Sequence, residues 1–156
     1  MVAGELRKVF FRLAQDEDGY PPAGTESLWA ISSGNGRLVL DNTPFFVPNA
    51  TLGDEIEVAE EDGQLWYRAT ARASDNSLIR IVVPKGADVA GIRSTLERLG
   101  CTSEFLPAYR LISVNVPGDA SLKAVQQYLE DAISADEIVD YEAPILRQDW
   151  FHGEPR

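Results

Sequence analysis

The chain has 156 residues, 44% of them hydrophobic, with 25 acidic against 14 basic side chains and a formal net charge of -11. That length fits one domain or two small ones, and no apolar run approaches the roughly 20 residues that cross a bilayer. The acidic balance is opposite to that of proteins whose affinity comes from neutralising phosphates, so neither a membrane nor a nucleic acid is expected as partner. The single cysteine, Cys101, excludes an intrachain disulfide framework and fits a reducing cytosol. The segment Met1–Lys8 lacks the basic stretch and long apolar run of a signal peptide. The expectation is a bacterial cytoplasmic protein.

The first half reads as β-rich. Strands are predicted at Lys8–Leu13, Ser27–Ile31, Arg37–Leu40, Glu55–Ala59 and Leu65–Arg72. Ser33-Gly34-Asn35-Gly36 and Glu61-Asp62-Gly63 are hairpin signals. Short strands, tight turns and no helical pattern predict a small barrel, SH3-like or OB-like, over residues 1–76. Leu52-Gly53-Asp54-Glu55 reads as the entry to a barrel strand, with Asp54 able to bond nearby amides. Trp29 and Trp66 alternate with polar neighbours and are expected in the core.

The densest cluster is Asp41-Asn42-Thr43-Pro44-Phe45-Phe46-Val47-Pro48. Prolines remove ladder donors, so this is no central strand but a stiff turn. One phenylalanine is expected to face inward. Its neighbour is expected either to wedge between the two domains or, at least partly exposed, to anchor a partner, because aromatics dominate binding hot spots. Asp41, Asn42, Pro44, Phe45, Phe46 and Asp54 are the candidate partner-binding residues.

The second half repeats itself. Ile79, Ile81, Val83 and Pro84 recur as Ile112, Val114, Val116 and Pro117; Ile92, Leu96 and Glu97 recur as Val125, Leu129 and Glu130. Each copy is a strand, a Pro/Gly break, an amphipathic helix and an apolar run, Phe105-Leu106 or Ile138-Val139. Two copies predict a ferredoxin-like β-α-β-β-α-β half over 77–147, followed by a tail, and hence an α+β chain. Asp88 should cap the first helix, Gly100 should stop it, and Ser121 should open the second. The helical stripes are Val89, Ile92, Leu96, Leu99 and Leu122, Val125, Leu129, Ile133. Arg80, Val82, Leu111, Ser113 and Asn115 fall on the other sheet face, too apolar for plain solvation, where the first half or another subunit is expected to cover them. The central strands carry no aromatic for base stacking, which argues against an RNA-recognition motif. Val83–Gly91 is loosely similar to the ligand turn of amino-acid-sensing modules of the ACT type, but reads first as a plain Pro/Gly strand-to-helix turn that needs no ligand.

The elements Phe11-Arg12-Leu13, Asp16–Tyr20, Glu26-Ser27-Leu28-Trp29-Ala30, Asp41-Asn42-Thr43-Pro44-Phe45-Phe46 and Gly53-Asp54 resemble an uncharacterised bacterial family, the domain-of-unknown-function family four-two-six-five. The resemblance covers most of the chain. It implies bacterial origin and a compact single-chain protein, and brings no activity with it.

Few residues suit catalysis. The only histidine, His152, lies in the tail, and Cys/His metal sites need ligands that the chain lacks. Cys101 has no evident base beside it. Asp16-Glu17-Asp18 and Glu60-Glu61-Asp62 fall in turns, where acidic residues are common solvated fillers. No P-loop or dinucleotide fingerprint is present. The reading is a non-enzymatic protein-binding module without a cofactor, its partner basic, in its most concrete form an immunity- or antitoxin-like inhibitor. The alternative is a small-molecule-sensing module that uses the ferredoxin-like half.

Overall fold

The computed structural model describes residues 4–148, which fall into two compact units that divide between Ser74 and Asp75. His152 and the tail from Asp149 onward lie outside the described residues.

The first unit is a closed barrel of β1 (Leu6–Arg12), β2 (Thr25–Ser32), β3 (Leu38–Leu40), β4 (Glu55–Glu61) and β5 (Gln64–Arg72). Each strand pairs antiparallel with the next, and β1 closes onto β5 in parallel, Val9 opposite Leu65 and Phe10 opposite Trp66. The parallel seam follows from the count: in an up-and-down series of five, the first and last strands run the same way. Alternation then sends Val9, Phe11, Leu28, Ala30, Leu38, Leu40, Ile56 and Leu65 inward as the core. The β4–β5 turn needs positive φ at both central residues, and Asp62 (52°) and Gly63 (80°) supply it, as a tight right-twisted hairpin requires. Residues 41–54, between β3 and β4, are irregular. They still contribute Val47 and Ala50 to the same core.

The second unit contains β6 (Ser77–Val82), α1 (Val89–Arg98), β7 (Thr102–Leu106), β8 (Leu111–Val116), α2 (Leu122–Ser134) and β9 (Asp140–Ile145). Its sheet has the order β7-β8-β6-β9 with every pair antiparallel. Ile79, Ile81 and Val83 join Ile112, Val114 and Val116 in a core with Ile92, Leu96, Leu122, Val125 and Leu129 of the helices. Asp88 Oδ1 accepts from Gly91 N at 3.0 Å, and Ser121 Oγ from Ala124 N at 3.1 Å, so both expected caps are made. On the other sheet face Arg80, Leu111, Ser113 and Asn115 are buried and Val82 is exposed.

One boundary moved. Ile138-Val139 was expected in a strand, yet β9 begins at Asp140. Asp136 turns with φ 60°, and Glu137 N and Ile138 N still donate to Ala132 O of α2. The backbone there closes the helix, which buries Ile138 beside the helices and leaves Val139 exposed.

Candidate functional site

The segment 41–47 is held along β2 by hydrogen bonds from both backbone and side chains. Asp41 N donates to Trp29 O at 2.8 Å, and Trp29 N donates to Asn42 Oδ1 at 2.6 Å. Further on, the Glu26 carboxylate accepts three successive amides: Phe45 N at 2.6 Å, Phe46 N at 2.9 Å and Val47 N at 2.9 Å. Charge-assisted bonds of this kind are about twice as strong as neutral ones. The aromatic turn is therefore rigid, with Thr43 and Pro44 buried under it.

Three successive amides converging on one carboxylate cannot alternate like a strand, and this changes the fate of the two phenylalanines. The expected division, one in and one out, is not what the backbone produces. Both Phe45 and Phe46 are half-buried, and Val47 is the side chain that enters the core. Phe46 meets Tyr20 edge to face, with centroids 6.2 Å apart at 81°. Tyr20 is 51% exposed and sits at the end of an acidic turn. Asp16 Oδ1 ties that turn by accepting Asp18 N and Tyr20 N, each at 2.9 Å, and leaves Glu17 and Asp18 in solvent. The turn residue Asp16 thus has a structural task that a filler would lack.

Of the six candidate residues, Asp41 is exposed, Asn42 is half-buried and bonded to β2, Pro44 is buried, and Phe45 and Phe46 are half-buried. Asp54 lies apart from them. It is fully buried, accepting Thr51 N at 3.1 Å and Ser74 N at 2.9 Å, and it organises the entry to β4 instead of facing solvent.

The tryptophans reverse their expectation. Trp29 is 45% exposed with Lys8 Nζ 5.2 Å from its ring centroid, and Trp66 carries the Arg12 guanidinium at 3.9 Å while touching Phe10. Both point out of the barrel. The signal was available: Leu28 and Ala30 flank Trp29, and alternation sends those two inward. The same parity puts Glu26 on the inward set of β2, where a carboxylate must find donors. Glu26 and Tyr20 are the residues that sequence reasoning missed as parts of the site.

Cys101 is buried, and desolvation pushes its thiol from 9.0 up to about 11, which suits a core side chain and not a nucleophile. Among the described residues, no group of three or more His, Cys, Asp or Glu is placed to hold a metal ion, and no helix is long and apolar enough to cross a membrane.

In the second unit a cavity of about 670 Å³ opens beside Pro84–Asp88, Gly91, Thr95, Arg98, Tyr128, Asp136 and Glu137.

The architecture defines an α+β protein that joins a closed five-stranded barrel to a four-stranded sheet with two helices. Residues 26–141 match the family described as domain of unknown function DUF4265, and the chain belongs to that family. A solved structure similar in fold is that of a hypothetical protein from Neisseria gonorrhoeae, at 21% identity and a TM-score of 0.75, covering 91% of this chain and 96% of that one. No curated protein matches the chain.

Proposed function

We propose that the protein is a non-enzymatic protein-binding module that docks a basic partner on the Tyr20–Phe46 face of its barrel. The observation that carries this reading is the contact of the exposed Tyr20 with the half-buried Phe46, whose turn is fixed by three backbone hydrogen bonds to Glu26. A rigid aromatic gives contact area at low entropic cost, which is what an anchor requires. Glu17, Asp18 and Asp41 are exposed on the same loops, and the chain's charge of -11 would steer a cation-rich surface toward them. The concrete form of this reading is a small acidic inhibitor of a basic toxin, in the manner of an immunity protein or antitoxin, in a bacterial cytoplasm.

We read the barrel as SH3-like, because its five strands follow one another in order, whereas an OB barrel is a Greek key. The order β7-β8-β6-β9 on a β-α-β-β-α-β chain supports a ferredoxin-like second unit.

The test is affinity capture by wild type, Phe46→Ala and Tyr20→Ala from lysate at low and high salt, with mass spectrometry. Basic proteins held by wild type, lost by both variants and weakened by salt are expected. An identical set of captured proteins on all three baits removes the face from consideration.

A second reading, small-molecule sensing by the second unit, is favoured by one observation: the cavity lies at the strand-to-helix turn Val83–Gly91 and falls within the usual size of ligand sites, roughly 300–1,000 Å³.

A further inference from the structure

We propose that this cavity takes a small zwitterion with the charges of an α-amino acid; the inference rests on the second reading, that the cavity accepts a small molecule. Topology makes the cavity. Strands β6 and β8 are antiparallel neighbours and each leads into its helix, so the helices run opposite ways and the start of α1 lies level with the end of α2. The turn Pro84–Asp88 contributes one wall, and Asp136 with Glu137, just past α2, contributes the other.

The two walls differ in charge. Lys85 is exposed on the first and makes no ion pair among the described residues; Asp136 and Glu137 are exposed on the second and make none either. The remaining charged groups spend hydrogen bonds within α1 and its cap but keep their charges. Asp88 spends Oδ1 on the Gly91 amide, so the helix terminus offers that donor to no ligand. Arg98 donates to the hydroxyls of Ser94 and Thr95, each at 3.0 Å. A purely anionic ligand such as a nucleotide would meet the cations Lys85 and Arg98 and be repelled by the three carboxylates of Asp88, Asp136 and Glu137. A simple cation would leave Lys85 facing it. A ligand with an ammonium and a carboxylate a few bonds apart meets both walls, and its side chain can lie on Ile92 and Tyr128.

The experiment is an amide NMR titration of the full chain with individual L-α-amino acids, using acetate and methylammonium as single-charge probes at matched ionic strength. At least one amino acid should shift Gly86, Gly91 and Glu137 saturably while neither control does. Lys85→Glu and Glu137→Lys, both surface changes that leave the fold intact, should each weaken that binding by about tenfold or more. If acetate or methylammonium binds as well as any amino acid, the cavity is a ligand site but the zwitterion inference is wrong. If no probe shifts these amides, or shifts map elsewhere, the second reading falls with it.

Discussion

In the second unit every stretch of backbone that enters the core belongs to a strand, a helix or a short capped turn, whereas the barrel unit completes its core with the irregular segment 41–54. Regular elements satisfy their own amides and carbonyls. An irregular segment cannot, and the barrel unit supplies side chains for the purpose: Glu26 for the amides of Phe45, Phe46 and Val47 and Asp54 for that of Thr51, while Asn42 and Asp54 also accept from Trp29 N and Ser74 N beside the segment. Buried backbone groups without partners cost free energy comparable to a lost hydrogen bond, so those polar side chains are as necessary to this core as its leucines. The difference teaches where single polar substitutions should hurt. They should be severe in the barrel unit and mild at the helix caps of the second.

The largest effect is expected at Asp54. Asp54→Ala strips a fully buried carboxylate from Thr51 N and Ser74 N, and bonds to charged groups contribute roughly 1.5–3 kcal/mol each. Urea unfolding should show a loss of about 3–5 kcal/mol. A loss under about 1 kcal/mol would mean that water takes over both amides and that the comparison between the units is mistaken.

The same contrast explains what could be read from sequence. The second unit was legible because its repeat, its stripes at Ile92, Leu96, Val125 and Leu129, and its caps at Asp88 and Ser121 are local patterns with fixed periods. Strands of the barrel were legible for the same reason, and the hairpin at Asp62-Gly63 because only a few residues adopt that turn. The path of segment 41–54 was not, because Glu26 and the amides of Phe45, Phe46 and Val47 are distant in sequence and obey no period. The outward Trp29 is legible in the parity set by Leu28 and Ala30, which outranks the hydrophobicity of its side chain.

Next in size is an effect of pH in the second unit, where burial and not hydrogen bonding sets the chemistry. Cys101 is neutral when folded up to about 11, against 9.0 for a free thiol. Between those values the unfolded chain has lost the proton that the folded chain keeps, so stability is full below 9 and falls as pH rises toward 11. The loss approaches about 2–3 kcal/mol at the upper end. Comparing wild type with Cys101→Ala across this range isolates the thiol from tyrosine and lysine titration. Equal alkaline slopes would show that Cys101 ionises as readily in the folded protein as in the unfolded one.

A smaller effect, about 1–2 kcal/mol, is expected from Glu26→Gln, which keeps the shape and removes the charge that faces three amides. The sharper readout is local. Hydrogen exchange at Phe45, Phe46 and Val47 should quicken while that at Ile79 and Val114 stays unchanged, because the turn loosens before the molecule unfolds. Uniform acceleration across both units would show that Glu26 supports global stability and not the turn.

The smallest effects belong to the caps, and one of them should change sign with its background. Asp88→Ala should cost about 1 kcal/mol, the usual value for a lost N-cap. Gly91 lies in the first turn of α1, where alanine would ordinarily gain up to about 1 kcal/mol over glycine. Here a Cβ on Gly91 would collide with the Asp88 carboxylate, so Gly91→Ala alone must expel the cap and should be neutral or destabilising. With the carboxylate already gone, the collision is gone too. In the Asp88→Ala background, Gly91→Ala should therefore stabilise by about 0.5–1 kcal/mol, and the double-mutant cycle should show a coupling of roughly 1 kcal/mol. Strict additivity of the two substitutions would mean that the Asp88 cap swings aside freely, and that even the regular unit keeps its polar contacts less firmly than its geometry indicates.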